Sequence, residues 1–228
     1  ALQEKLGRLG MSVNVEQILT PPVAAKRWLG TRARGPVALF VPPATAGEFS
    51  GLEIVHPDGT GPVAAVVIGD YGAGWTFETL NRAFRWLMQE PAPALVALGM
   101  TRYWRAEDGL RLDTAPFVVA LEHATGRKAV VLGKPAAPFF RSALDLLGAD
   151  ATEAVMIGDD IRSDIGGAQG AGGPASGAGA SGSLRALVNR LEGGFLGLLL
   201  VTAAIGGLWA AFWLAWGHSA DPASPMGA

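Results

Sequence analysis

Residues 154–172 read AVMIGDDIRSDIGGAQGAG. A short apolar run ends at Gly158, two adjacent carboxylates follow at Asp159 and Asp160, and a third, Asp164, precedes a burst of glycine. The apolar run predicts a buried strand, and carboxylates just past the carboxyl end of a parallel strand stand at the rim where open α/β sheets bind ligands. If a helix begins there, Asp164 lies one turn beyond Asp160, and the three carboxylates can converge on a single hard cation. Oxygen ligands without His or Cys favour Mg²⁺, which keeps waters and works with a substrate phosphate. The plainer reading of a bare Gly-Asp-Asp is an acidic turn that caps a helix.

Immediately upstream, VVLGKP (130–135) places Lys134 at the end of the preceding predicted strand. A lysine at such a rim can neutralise a phosphoryl group or crowded carboxylates, although alone it is usually just solvated. Order strengthens both signals: strand, Gly-Lys-Pro, amphipathic helix, strand, Gly-Asp-Asp, three residues, Asp. Further back, PVALFVPP, PVAAVVIGD and PALVALGM read as strands, while NVEQILTPPVAAKRWLG, TFETLNRAFRWLMQ and DTAPFVVALEHATG read as helices. KAVVLGKP and EAVMIGDD add strands on either side of the helix APFFRSALDLLGA. Strands alternating with helices of this length predict an α/β fold with parallel strands. ALQEKLGRLG, at the start, predicts a short amphipathic helix.

With 228 residues the chain can bury one large core or two smaller ones. Its formal net charge of -2 offers no basic field for a nucleic-acid backbone. Without cysteine there are no disulfides, thiolate metal sites or cysteine nucleophile. His56, His123 and His218 are scattered, and none has ligand spacing with another.

After Gly172 the α/β pattern stops. Eight glycines fall between Gly166 and Gly182, and residues 173–192 read as a Gly/Ala/Ser-rich linker with a short amphipathic piece. Phe195 to Trp216 is uncharged and apolar on every side, with Trp209, Trp213 and Trp216 toward one end. That length and character predict a single transmembrane helix within residues 193–217, followed by a tail at 218–228. Arg185 and Arg190 before it would keep the α/β part cytoplasmic, anchored to the membrane by this one helix.

The paired lysine and GDDxxxD motifs resemble those of the haloacid dehalogenase superfamily. Further stretches agree in order: EKLGRLG, EQILTPP, NRAF, residues 97–135 and residues 139–172 are similar to the subfamily with a large α/β cap, whose members include pyrophosphate and phosphoamide phosphatases. The resemblance covers residues 1–172. It implies a Rossmann-like core with an inserted cap: a core helix at 1–20, the cap at 21–125, and more core at 126–172. It implies further that Lys134 stabilises the phosphoryl group and the nucleophile, that Asp159 binds Mg²⁺ with Asp160 or Asp164 in support, and that a small phosphorylated substrate is hydrolysed through an aspartyl-phosphate. Cap loops select substrates in such enzymes, which makes Arg102, Tyr103 and Trp104 substrate-binding candidates; ordinary cap packing is the simpler role for them. Asp70, after AVVIG, is equally ambiguous. The cap can also serve as a homodimer surface.

The family's Asp-x-Asp nucleophile motif does not occur in these 228 residues. HPDGTGP (56–62) contains Asp58-Gly59-Thr60 but lacks the preceding Asp and strand, and reads as a turn. The expectation is therefore an N-terminally incomplete phosphatase that is inactive as this chain alone. The alternative is a catalytically inactive cap-bearing module for binding or dimerisation, tethered to a membrane, with Gly193 and Gly197 spaced for helix association.

Overall fold

The computed structural model describes residues 2–8, 13–55, 59–158, 161–173, 175–177, 198–205 and 208–215. In chain order the helices are α1 (Leu2–Arg8), α2 (Pro21–Arg32), α3 (Pro43–Ala46), α4 (Phe77–Leu87), α5 (Thr114–Thr125), α6 (Ala137–Leu147) and α7 (Gly166–Gly170). The strands are β1 (Ile18–Leu19), β2 (Val37–Phe40), β3 (Ile54–Val55), β4 (Ala65–Ile68), β5 (Ala94–Ala97), β6 (Tyr103–Ala106), β7 (Gly109–Leu112), β8 (Val130–Val131), β9 (Ala154–Gly158), β10 (Ala175–Gly177), β11 (Leu198–Ile205) and β12 (Leu208–Ala215). The chain divides into a middle unit, Leu19–Ser142, and a terminal unit, Ala1–Ile18 with Ala143–Ala228.

The middle unit is an α/β fold on a five-stranded sheet of order β3-β2-β4-β5-β8, every neighbouring pair parallel. All four residues of β2 and of β4 are buried, as expected where a parallel sheet is covered on both faces. Phe40, Ile68, Trp86, Leu87, Leu95 and Leu121 anchor its core. The helices start where sequence chemistry dictates. Thr20 Oγ1 accepts from Val23 N–H just before Pro21 and Pro22, whose missing N–H groups cost nothing in a first turn. Thr76 and Thr79 exchange side-chain-to-backbone bonds at the start of α4. Gly126 ends α5 with φ of 69°, a left-handed position suited to glycine. Beyond the elements expected from sequence, β6 and β7 form a hairpin whose antiparallel register pairs Trp104 with Arg111.

In the terminal unit β9 is flanked by two parallel partners, β10 and β11, and β11 continues into an antiparallel pair with β12. This corrects the transmembrane helix expected within residues 193–217. Leu198–Ile205 and Leu208–Ala215 are strands, and no helix among the described residues is long and apolar enough to cross a membrane. An all-apolar run does not separate helix from doubly covered strand, and Gly206-Gly207 between two eight-residue runs is a two-residue hairpin spacing. The membrane anchor and the orientation argued from Arg185 and Arg190 lose their basis with that helix. Inside the stretch read as linker, Ala175–Gly177 pairs with Met156–Gly158. The amphipathic piece at 184–194 and the tail at 218–228 lie outside the described residues.

Candidate active site

In the middle unit the backbone ladder runs past the strands and fixes where their successors emerge. Gly69 N–H donates to Phe40 O at 3.0 Å, Leu98 N–H to Ile68 O at 2.9 Å, and Leu132 N–H to Ala97 O at 2.8 Å. Pro42, Asp70 and Lys134 consequently leave from one carboxyl edge of one sheet, the edge where α/β folds place ligands. Gly133 is buried there against the backbone of the β5 exit: a Cβ would fall inside contact distance of the Leu98 carbonyl oxygen. The glycine of Gly-Lys-Pro thus permits the close approach that positions Lys134, which is half-buried and followed by a cis Pro135.

In the terminal unit β9 ends at Gly158; Asp159 and Asp160 lie outside the described residues. The helical turn expected next is a π-helical turn, Ile161–Ile165, and it carries Asp164 into a fully buried position before α7 begins. Burial of a carboxylate is costly unless it is bonded or coordinates a cation, and Asp164 does engage a partner. Among the described residues no three His, Cys, Asp or Glu side chains converge on one point. The donor types that Asp164 and its sequence neighbours supply, oxygen only, suit Mg²⁺.

A cavity of about 570 Å³ opens at the carboxyl edge of the middle sheet. Asp70 to Ala73, from the loop after β4, line it together with Trp104, Arg111 and Leu112 of the hairpin and Phe117 of α5. Of the three hairpin candidates named from sequence, Trp104 alone reaches this wall; the Arg102 guanidinium lies over the Tyr103 ring at 5.7 Å. Arg111 is the lining residue that sequence reasoning missed. Its signal was the Glu107-Asp108-Gly109 turn, because alternation across a hairpin puts Arg111 opposite Trp104. Phe117 is held by stacking on Trp75 at 4.7 Å, and Trp75 stacks in turn on Phe40 at 5.4 Å. His56 and Asp58 lie outside the described residues.

Asp70 and Arg111 are electrostatically unlike. Arg111 grips Asp108 through Nε at 3.1 Å and Nη2 at 2.6 Å, and this holds the exposed Asp108 carboxyl below its usual range. Asp70 accepts one bond, from Gly72 N–H at 3.2 Å. Partial burial, then the charge of Asp113, push its carboxyl above the usual value, and that one bond offsets them only in part.

The HAD-hydrolase-like family description matches residues 131–177, the stretch that holds Lys134 and all three carboxylates. Phospholysine phosphohistidine inorganic pyrophosphate phosphatase from Homo sapiens is 39% identical over 165 residues, covering 72% of this chain. The chain spans 58% of that relative's length. Among solved structures, p-nitrophenyl phosphatase from Archaeoglobus fulgidus superposes with a TM-score of 0.68 at 28% identity, over 83% of this chain and 73% of its own. Glycerol phosphate phosphatase from Mycobacterium tuberculosis, in complex with magnesium, gives a TM-score of 0.61 at 25% identity, over 76% of this chain and 52% of its own.

Proposed function

The chain belongs to the HAD-like hydrolase family, and from that membership we propose that it is the cap-bearing part of a Mg²⁺-dependent phosphatase acting on a small phosphorylated substrate, a phosphoamide or a pyrophosphate. The observation that carries this reading is the succession of Lys134 just past β8, helix α6, strand β9, the Asp159-Asp160 pair and the buried Asp164. In this reading Lys134 neutralises the phosphoryl oxygens and the attacking carboxylate. Asp159 holds the metal, with Asp160 or Asp164 in support. Bound there, Mg²⁺ would offset the charge that develops on the transferred group.

Transfer would pass through an aspartyl-phosphate formed on a carboxylate that these 228 residues do not supply, since no Asp-x-Asp pair occurs in them. Two measurements test the reading. Mg²⁺ titrated into the chain by calorimetry should bind, and Asp159→Asn should weaken binding by about tenfold or more. The chain with Mg²⁺ and p-nitrophenyl phosphate should show no turnover. Robust turnover of these 228 residues would sink the assignment of the missing nucleophile, and Mg²⁺ binding indifferent to Asp159→Asn would sink the metal site.

A further inference from the structure

The cavity at the carboxyl edge of the middle sheet has a charge imbalance that its own residues do not correct. Arg111, the one Lys or Arg lining it among the described residues, has both arms of its fork on Asp108 and lies over the Trp104 ring at 5.9 Å. Asp70 faces the same space with a single backbone N–H on its carboxylate and no ion pair among the described residues. Its neighbour in charge is another carboxylate, Asp113, whose Oδ1 is taken up by Thr114 at the start of α5. The rest of the wall is apolar or aromatic: Tyr71, Trp104, Leu112 and Phe117.

A carboxylate lacking a counter-charge beside aromatic rings attracts a cation with an apolar stem. A divalent metal is a poor match, because hard cations require about six oxygens and, among the described residues, one carboxylate lines this wall. An anion is a poor match too, since Asp70 repels it and the Arg111 fork is already occupied. The volume, about 570 Å³, lies within the usual range of small-molecule sites.

We propose that this cavity is a subsite for an alkylammonium group, with Asp70 as counter-ion and the rings of Tyr71 and Trp104 against the alkyl stem. The ligand that this cavity selects then carries a positively charged amine; that this ligand is a phosphatase substrate rests on the phosphatase reading, whereas the cation site does not.

The test is a binding titration of the whole chain with n-butylammonium, against n-butanol and butyrate as neutral and anionic isosteres, without phosphate or Mg²⁺. Butylammonium should saturate on the order of millimolar concentration. Both isosteres should bind at least about tenfold more weakly. Asp70→Asn should reduce the affinity by about tenfold with an unchanged far-UV spectrum, and Trp104→Leu should weaken it severalfold. In the wild-type chain, amide shifts on binding should centre on residues 70–73 and 104. Butyrate binding as tightly as butylammonium, an unaltered affinity in Asp70→Asn, shifts centred elsewhere, or no saturation up to about 50 mM would each overturn the proposal. Because none of these readouts needs turnover, a failed phosphatase assay and a failed cation site are separate results.

Discussion

Single residues set the carboxyl edge of the middle sheet, and two of them make opposite demands. Gly133 is there because nothing larger fits against the Leu98 carbonyl, and that atom is backbone in a paired strand exit that cannot swing aside. Gly133→Ala should destabilise the chain by about 1–3 kcal/mol, the usual cost of forcing an extra carbon into packed backbone. Urea denaturation measures this; an unchanged midpoint would mean that the β5 and β8 exits separate freely. Asp70 is instead limited by charge. Its folded carboxyl titrates above the ordinary 3.8, so the folded state holds the proton more tightly than the unfolded chain does. That contribution is complete below 3.8 and disappears as pH rises through the folded value. Wild type should therefore lose stability relative to Asp70→Asn across that window and run parallel to it above. Denaturation midpoints of the two proteins over a pH series check the sign, and a difference that grows in the opposite direction would refute it.

Elements show which parts of the fold were written in local sequence. Helix α4 starts at a reciprocal Thr76 and Thr79 pair, and Thr79 Oγ1 also reaches Gly74 O at 2.9 Å. Thr76→Ala should cost about 1 kcal/mol, seen as a lower thermal midpoint, while Thr76→Ser should recover most of it. The parallel strands were legible for the same local reason. Runs such as AVVI and VALF are too short for helices, and Pro, Gly or Asp bounds them. Lys134 and Asp164 were legible as motif positions, but the burial of Asp164 was not, because it depends on how a π-helical turn winds after β9. The β6 and β7 hairpin escaped notice because its strands are exposed on most positions, so no apolar alternation announces them. Arg111 was lost with it. The segment after residue 197 was misread because uniform apolarity carries no period, and its partner, β9, is about forty residues away in sequence.

At the scale of the molecule, two sheets belong to two units, and β9, the strand that precedes the Asp159-Asp160 pair, sits in the one built from distant segments. The middle sheet draws all its strands from a single stretch and has its own core, so its pairing needs nothing from beyond Ser142. Strand β9 is different: Ala154–Ile157 pairs with Leu198–Val201 on one side and Met156–Gly158 with Ala175–Gly177 on the other. A chain that ends at Gly194 would leave β9 an edge strand with three paired residues, and exposed apolar edges exchange and aggregate. Amide hydrogen exchange on that shortened chain should show β9 losing most of its protection, by a factor of about ten or more, while Val66, Val67 and Leu95 in the middle sheet retain theirs. Equal loss in both sheets would show one cooperative structure, and retained protection in β9 would show that the apolar hairpin contributes nothing to the strand. If β9 alone loosens, and the proposed metal role of Asp159 and Asp160 holds, the apolar hairpin supports that role by keeping rigid the strand that precedes them in sequence, and Mg²⁺ binding should weaken in the same shortened chain.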